Sequence, residues 1–247
     1  QPGTYRVEEK QSDDAHITIT TPQEVELKAG DGIKELVFFN DLKPGIHLTK
    51  VDSADLSKPI ANARFRFEAV DGSWGPEEYT TSEDGTIDLS KLPVGAYVVT
   101  ELECPGYVID DAQRIIHLDP NENAEFVFTN SKLPSLTLTK TSSDGTPLAG
   151  VTFQLAKVEN GSHYLDRTTG PDGTITWEGL EPGVYSLVET ATVSDHILDT
   201  REHHIQLFPG KDSTIDLEND RRPNLTVVKR DADSGAPIAD TVFLVEA

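Results

Sequence analysis

The feature that most constrains the fold of this chain is a lysine that recurs at the end of an alternating apolar segment. GIHLTKVD places Ile46, Leu48 and Lys50 on one face of a β-strand, because successive side chains of a strand point to opposite faces. The two apolar residues mark this face as the buried one, so Lys50 is predicted to point into the core. SLTLTKT and NLTVVKRD place Lys140 and Lys229 in the same frame.

Two further landmarks recur with the same period of about ninety residues. One is an aromatic strand that ends in glutamate, and the other is an apolar strand that ends in asparagine. The glutamates are Glu9, Glu101 and Glu189, and the asparagines are Asn40, Asn130 and Asn219. Three landmarks with one period predict tandem copies of a single structural unit.

The landmarks divide the chain into four segments. Complete units are predicted at residues 44–132 and 133–221. Residues 1–43 hold the glutamate and asparagine landmarks, and residues 222–247 hold only the lysine segment, so each is predicted to be part of a unit. The joints are short and each contains a proline, which favours an extended rod over a flexible string.

Within each complete unit, short alternating segments are separated by glycine and proline turns, and no helical periodicity is present. SEDGTIDL and GPDGTITW, for example, each place an Asp-Gly turn before a strand. About seven strands in roughly ninety residues predict an all-β fold of tandem seven-stranded Ig-like β-sandwiches.

Composition excludes several classes of partner. The net charge of −22 repels nucleic acid and anionic membrane surfaces, and no apolar run is long enough to insert into a membrane. The chain has no signal peptide and no methionine, even at its first position, so we expect a piece of a longer polypeptide. The single cysteine, Cys104, excludes a disulfide framework within the chain. The stability of the folded chain must therefore have another source.

The same alternation places the glutamate and the asparagine of each complete unit on buried faces. A buried amine is more readily neutral, and a neutral amine is a nucleophile. A buried, protonated glutamic acid can donate a hydrogen bond to the asparagine carbonyl oxygen and relay protons to departing ammonia. Together these groups could form an amide between lysine and asparagine in a single turnover, without a cofactor.

For the first complete unit we expect Asn130 to face Lys50 across the sandwich, with Glu101 beside them. The alternative is that these are exposed residues at strand ends and that lysine and glutamate form an ordinary surface salt bridge. Two complete copies in one frame favour the buried site.

These frames resemble the Cna B-type (SpaA-type, prealbumin-like) domains of Gram-positive surface adhesins and pilins. ELECPGY is similar to that family's Glu-x-x-Ala-Pro-x-Gly-Tyr signature, with Cys104 at the alanine position and one residue deleted, whereas ETATVSDHI lacks the Pro-Gly-Tyr element. The resemblance implies prealbumin-like sandwiches, each with an isopeptide bond promoted by a glutamate. The implied bonds are Lys50–Asn130 with Glu101 and Lys140–Asn219 with Glu189.

The partial units are expected to form no bond within this segment. Glu9 and Asn40 lack a lysine, and Lys229 lacks both of its partners. Each of these residues could still join a bond in the intact protein.

The sequence contains no cleft-forming motif for an external substrate, so we predict no enzyme beyond the self-directed cross-linking. The chain would be a stalk or spacer of a cell-wall-anchored adhesin or pilin, extracellular on a Gram-positive bacterium. Its partners would be neighbouring repeats, and host matrix or glycan through a tip region outside this segment. The alternative is a ligand-binding module whose loops contact host protein or glycan. Trp74, in a loop, is the candidate contact, although plain loop packing is favoured.

Two possible metal sites are not favoured, and no metal or cofactor is predicted. His203 and His204 lack a third ligand at a useful spacing, so they are interpreted as part of a strand. DADSG (231–235) resembles half of a calcium loop but lacks the distal glutamate, so a turn is favoured.

Two further residues are interpreted as structural. Cys104 lies near Gln113 in sequence, as in thioester adhesins, but the motif of that family is absent. Trp177 aligns with Leu89 in the repeat, so we expect it in the core and not on a ligand platform.

Overall fold

The computed structural model describes residues 1–109, 113–159 and 166–246, which form strands, turns and irregular segments. Within these ranges no helix is long and apolar enough to cross a membrane. The chain divides into two compact units. One contains an antiparallel pair, β1 (Gly3–Val7) and β2 (Gln23–Leu27), and a β-sandwich, and the other contains most of a further sandwich.

The first sandwich consists of a three-stranded and a four-stranded sheet. Its strands are β3 (Gly45–Asp52), β4 (Arg64–Ala69), β5 (Glu77–Thr80), β6 (Thr86–Leu89), β7 (Gly95–Glu103), β8 (Arg114–Leu118) and β9 (Asn123–Asn130). The strand orders are β6-β3-β9 and β5-β4-β7-β8. The first and last strands, β3 and β9, are parallel neighbours, and the other paired strands are antiparallel.

The core of the first sandwich follows from the alternation of its strands. β3 buries Ile46 and Leu48, and β4 buries Phe65 and Phe67. The Phe65 ring meets the Phe128 ring of β9 edge-on, with the ring centroids 5.0 Å apart. Each fully buried apolar side chain of this size contributes about 1.5–3 kcal/mol to folding. The inward positions of both sheets therefore form one continuous apolar layer.

The second sandwich has the same architecture. Its strands are β10 (Leu136–Ser142), β11 (Thr152–Lys157), β12 (Arg167–Thr168), β13 (Thr174–Trp177), β14 (Gly183–Ala191), β15 (Glu202–Leu207) and β16 (Ser213–Asn219). The strand orders are β13-β10-β16 and β12-β11-β14-β15, which match those of the first sandwich strand by strand. The predicted all-β fold of tandem sandwiches is confirmed.

Two short edge strands were missed by the sequence analysis. Three of the four residues of β5 are exposed, and so are both residues of β12. An edge strand with so few inward side chains has no apolar alternation that a pattern search could detect.

Two strands predicted in the partial units are wrong. LVFFN (36–40) and the lysine segment 225–229 adopt no strand, and Leu225 is exposed. In a complete unit the corresponding strands are β9 and β3, which hydrogen-bond to each other. Without its neighbour, either segment lacks the ladder of backbone hydrogen bonds that defines a strand.

Candidate functional site

Lys50 points into the first sandwich from β3, the central strand of its sheet. Its side chain is fully buried. The Nζ atom lies 5.6 Å from the centroid of the Phe65 ring and 5.8 Å from that of the Phe128 ring. A carboxylate, described below, offsets its charge at close range, and the surrounding walls are aromatic.

The backbone beside Lys50 depends on the glycine of the Asp-Gly turn. The Lys50 N–H donates to the Gly85 carbonyl oxygen at 2.8 Å, and Gly85 has a φ of +77°. A Cβ at this position would lie 2.5 Å from the Lys50 carbonyl oxygen. Gly173 stands in the same relation to Lys140, with a φ of +73° and a 2.8 Å hydrogen bond from the Lys140 N–H. The dipeptide that indicated a turn therefore also lets the chain approach the lysine strand closely.

Glu101 and Asn130 complete the first site. Lys50 Nζ lies 2.8 Å from Glu101 Oε1, and Asn130 Nδ2 lies 2.8 and 2.9 Å from the two carboxylate oxygens. Glu101 and Asn130 are each 3% exposed. Among the described residues, neither Lys50 Nζ nor Asn130 Oδ1 has a hydrogen-bond partner at a suitable angle. The ion pair and the two amide contacts thus all converge on the carboxylate.

The expected placement of Asn130 across the sandwich is wrong. β9 lies beside β3 in the same sheet, with Phe128 opposite Lys50 and Asn130 opposite Asp52. Lys50 and Asn130 are therefore diagonal neighbours on one face, and Glu101 reaches them from β7 of the facing sheet. Alternation predicts which face a side chain occupies, but it contains no information about which strands are neighbours.

The second sandwich contains an equivalent site. Lys140 Nζ donates to Asn219 Oδ1 at 2.7 Å and lies 3.0 Å from Glu189 Oε2. Asn219 Nδ2 donates to Glu189 Oε1 at 2.7 Å. All three residues are buried. In this site the amine directly contacts the carbonyl group that it would attack.

The hydrogen bonds of the glutamates differ from the predicted pattern. We expected a protonated glutamic acid to donate to the asparagine carbonyl oxygen. Instead, Glu101 and Glu189 accept N–H groups from Asn130 and Asn219. Each carboxylate therefore lies between the lysine amine and the amide nitrogen, which is the position from which it can carry a proton from one to the other.

A buried ion pair of this kind is a poor source of stability by itself. Removing an ammonium and a carboxylate from water costs several kcal/mol per ion, and their attraction seldom exceeds that cost. Lys50 and Glu101 have 0% side-chain exposure, and Lys140 and Glu189 have 0% and 2%. This desolvation free energy has an explanation if the groups react, because an amide bond removes the charge of the lysine.

A polar pair next to each site was missed by the sequence analysis. In the first sandwich, the Tyr107 hydroxyl donates to Asp52 Oδ2 at 3.2 Å. In the second, His196 Nε2 lies 3.1 Å from the hydroxyl of Ser142, which is fully buried. Tyr107 and His196 form equivalent isolated bridges, to Lys132 and Arg221. His196 thus occupies the place of the signature tyrosine that ETATVSDHI lacks.

The landmarks of the partial units remain incomplete. Asn40 Nδ2 donates to Glu9 Oε1 at 2.6 Å, so these two residues meet without a lysine. Lys229 is exposed, in a segment without regular structure. The glutamate–asparagine contact therefore forms independently of the lysine.

The two tryptophans are placed differently. Trp177 is 3% exposed, in the core where the repeat predicts it. Trp74 is half-buried and packs on Tyr97, with 5.7 Å between the ring centroids. Plain packing of the loop accounts for Trp74, which weakens the case for a ligand contact.

The remaining candidates show no site within the ranges that the structure describes. His203 and His204 lie in β15, and no group of three potential metal ligands occurs among the described residues. Residues 231–235 form a turn in which Asp231 Oδ1 accepts the Ser234 N–H. Cys104 is buried whereas Gln113 is exposed, and burial raises the pKa of the Cys104 thiol to about 11.

Comparison with known families decides the classification. A family model described as SpaA, prealbumin-like fold domain, matches residues 44–132 and 134–221. The chain belongs to the SpaA prealbumin-like fold family. Each SpaA match contains one site of lysine, glutamate and asparagine, and the resemblance predicted from these landmarks is confirmed.

Solved structures with low sequence identity also resemble this SpaA-family chain. The Bacillus anthracis TIE protein is 22% identical over 88% of this chain, which spans 42% of that protein, with a TM-score of 0.43. A streptococcal ancillary pilin is 22% identical, covering 91% of this chain and 76% of its own, with a TM-score of 0.43. The shaft pilin SpaA from Lactobacillus rhamnosus GG is 13% identical, covering 74% and 99%, with a TM-score of 0.46. No curated protein is a significant match.

Proposed function

We propose that the two sandwiches are tension-bearing spacer units of a surface adhesin or pilin stalk, each locked by an intramolecular isopeptide bond. The observation that carries this proposal is the repetition of one buried constellation in two sandwiches. The bonds join Lys50 to Asn130 and Lys140 to Asn219. Glu101 and Glu189 promote them.

The reaction needs only the three side chains of each site. The lysine Nζ attacks the asparagine Cγ, the Nζ–Cγ bond forms and the Cγ–Nδ2 bond breaks. The lysine reacts as the neutral amine, after the proton of the ion pair has moved to the glutamate carboxylate. The protonated glutamate gives one proton to Nδ2, which leaves as ammonia, and takes one proton from Nζ. The fixed proximity of amine and amide can supply roughly 7–11 kcal/mol of the barrier reduction. The carboxylate contacts on both nitrogens support its role as the proton carrier.

The position of the bond explains how it would carry force. β3 enters the first sandwich, β9 leaves it, and the two strands are parallel neighbours. With Lys50 joined to Asn130, tension passes from the start of β3 through the cross-link to the exit after Asn130. The residues between them carry none of that load and cannot be extended. By analogy with a disulfide, closing a loop of roughly eighty residues stabilises the sandwich by about 4–5 kcal/mol.

The family supports a location and partners for this function. Cna B-type units of this kind belong to Gram-positive cell surfaces, so we place the chain outside the cell, attached to the cell wall through parts of a longer protein. Its immediate partners are adjacent repeats. Contact with host matrix or glycan is assigned to a tip region outside this segment.

Intact mass spectrometry tests the proposal. The folded protein is expected to weigh less than its calculated mass by two ammonia molecules. Glu101→Gln and Glu189→Gln should each restore one ammonia, and the double variant should restore both. Glu9→Gln is the matched control, since Glu9 contacts an asparagine in a partial unit that lacks the landmark lysine. A folded protein of unshifted mass would overturn the proposal.

A further inference from the structure

The residue three positions after each landmark glutamate is a small side chain that can accept a hydrogen bond. These residues are Ser12, Cys104 and Thr192. All three contact the landmark asparagine of their own unit. Alternation in the strand does not account for this, because the chain leaves the strand near these positions.

In the second sandwich, Thr192 completes the hydrogen bonding of the asparagine amide. Asn219 Nδ2 donates one N–H to Glu189 Oε1 at 2.7 Å and the other to Thr192 Oγ1 at 2.9 Å. Asn219 Oδ1 accepts from Lys140 Nζ at 2.7 Å. Because the amide oxygen has a donor and each amide hydrogen has an acceptor, rotation of the amide by half a turn would break all three contacts.

The N-terminal unit shows the same contact without a lysine. Asn40 Nδ2 donates to Glu9 Oε1 at 2.6 Å and to Ser12 Oγ at 2.9 Å. The hydroxyl therefore orients the amide whether or not the nucleophile is present.

The first complete unit uses a thiol at this position. The buried Cys104 side chain lies close enough to Asn130 and Glu101 for both to influence the pKa of its thiol. Sulfur is a weaker acceptor than a hydroxyl oxygen, so it fixes the amide less firmly. Here Asn130 Nδ2 approaches both oxygens of Glu101 instead of dividing its hydrogens between two side chains.

We propose that Thr192 is a positioning residue for isopeptide formation, and that Cys104 occupies the same role less effectively. Thr192 holds the leaving nitrogen against Glu189, where it receives its proton, and keeps the carbonyl group turned toward Lys140. This inference rests on the proposed cross-linking. Loss of one neutral hydrogen bond that acts on the transition state slows a reaction roughly three- to tenfold.

The test measures the rate of ammonia loss from freshly synthesised chain by intact mass spectrometry. A Glu101→Gln background restricts the reaction to the second site. Thr192→Val removes the hydroxyl at nearly constant shape, Thr192→Ser retains it, and Thr192→Cys copies the first sandwich. Thr190→Val is the matched control, because the exposed Thr190 hydroxyl donates to the Thr152 carbonyl oxygen, at 3.3 Å, and not to the landmark asparagine. With Trp74 replaced by phenylalanine throughout, Trp177 fluorescence shows that the second sandwich of each variant has folded.

The expected result is a roughly three- to tenfold slower reaction in Thr192→Val. Thr192→Ser should react at the parent rate, Thr192→Cys should lie between them, and Thr190→Val should match the parent. The inference is overturned if Thr192→Val keeps the parent rate, if Thr192→Ser is as slow as Thr192→Val, or if Thr190→Val slows the reaction equally.

The outcome for the parent separates this inference from the proposed function. If the Glu101→Gln parent loses no ammonia, the cross-linking proposal itself fails. If the parent loses ammonia and the Thr192 variants lose it at the same rate, the cross-linking proposal stands and the positioning role of Thr192 is wrong.

Discussion

The two SpaA sandwiches bring the same three groups together but surround them with different neighbours. Both contain a buried lysine on the first strand, a glutamate on the facing sheet and an asparagine on the last strand. Around them, Cys104 in the first sandwich corresponds to Thr192 in the second. The Tyr107–Asp52 pair likewise corresponds to His196 and Ser142.

For the proposed cross-linking, the difference separates the groups that would react from the groups that would support them. An amine, a carboxyl group and a carboxamide cannot be exchanged for other groups without losing the chemistry. A supporting hydrogen bond can come from a thiol or a hydroxyl, and a buried polar pair can be tyrosine with aspartate or histidine with serine. The following predictions test that separation.

Removing the nucleophile should have the largest effect. Lys50→Met and Lys140→Met would each abolish one of the proposed cross-links, and each would leave a buried glutamate without its ion pair. Each affected sandwich should lose about 4–5 kcal/mol or more of unfolding free energy. Guanidinium unfolding measures this, with Trp74 reporting the first sandwich and Trp177 the second in backgrounds that carry the other tryptophan as phenylalanine.

Lys229→Met is the control for these variants, because Lys229 is exposed and shares only the sequence frame. It should change neither the mass deficit nor the unfolding free energy. Equal destabilisation by all three substitutions would contradict a special role for the two buried lysines.

Substituting the turn glycines should have the next largest effect. Gly85→Ala and Gly173→Ala combine a positive φ with a collision against the lysine backbone. Gly72→Ala and Gly179→Ala are matched controls with positive φ and nothing within 4 Å of the added Cβ. The controls should cost roughly 1–2 kcal/mol from backbone strain, and the first pair should cost more. Urea unfolding compares them, and equal losses would show that the close approach has no importance.

The polar pairs beside the sites should have a smaller effect. His196→Phe leaves the buried Ser142 hydroxyl without its partner and should cost about 1–3 kcal/mol. The double substitution Ser142→Asp with His196→Tyr copies the first sandwich and should recover most of that loss. Thermal unfolding measures both variants. A double variant that is less stable than His196→Phe would show that the two pairs are not interchangeable.

The last prediction concerns the rate at which the Cys104 thiol reacts with an alkylating reagent. Burial raises the pKa of its thiol to about 11, so at pH 8 very little of the reactive thiolate is present. Alkylation by iodoacetamide should be far slower in the folded protein than in the denatured protein, and it should accelerate as the pH rises toward 11. Rapid labelling of the folded protein at pH 8 would contradict the buried position beside Glu101.

Much of the fold and part of the site could be predicted from the sequence. The inward orientation of the Lys50 side chain follows from the two apolar residues that share its face. The repeat distinguished Glu101 and Asn130 from the many other carboxylates and amides of the chain. The arrangement of the strands was not predictable in this way. Asn130 was expected across the sandwich, yet β9 hydrogen-bonds directly to β3. Neither Thr192 nor His196 belongs to an alternating pattern, so neither was found.

The sequence by itself determined the class of fold, the repeat and the three side chains of each site, because the pleat of a strand makes facing a local property. Only the tertiary structure decided which strands are neighbours, which sheet supplies the glutamate, and which side chain meets the asparagine amide. It also decided that LVFFN and the Lys229 segment form no strand. Strand pairing requires a partner strand that is distant in sequence, and alternation within one segment does not identify that partner.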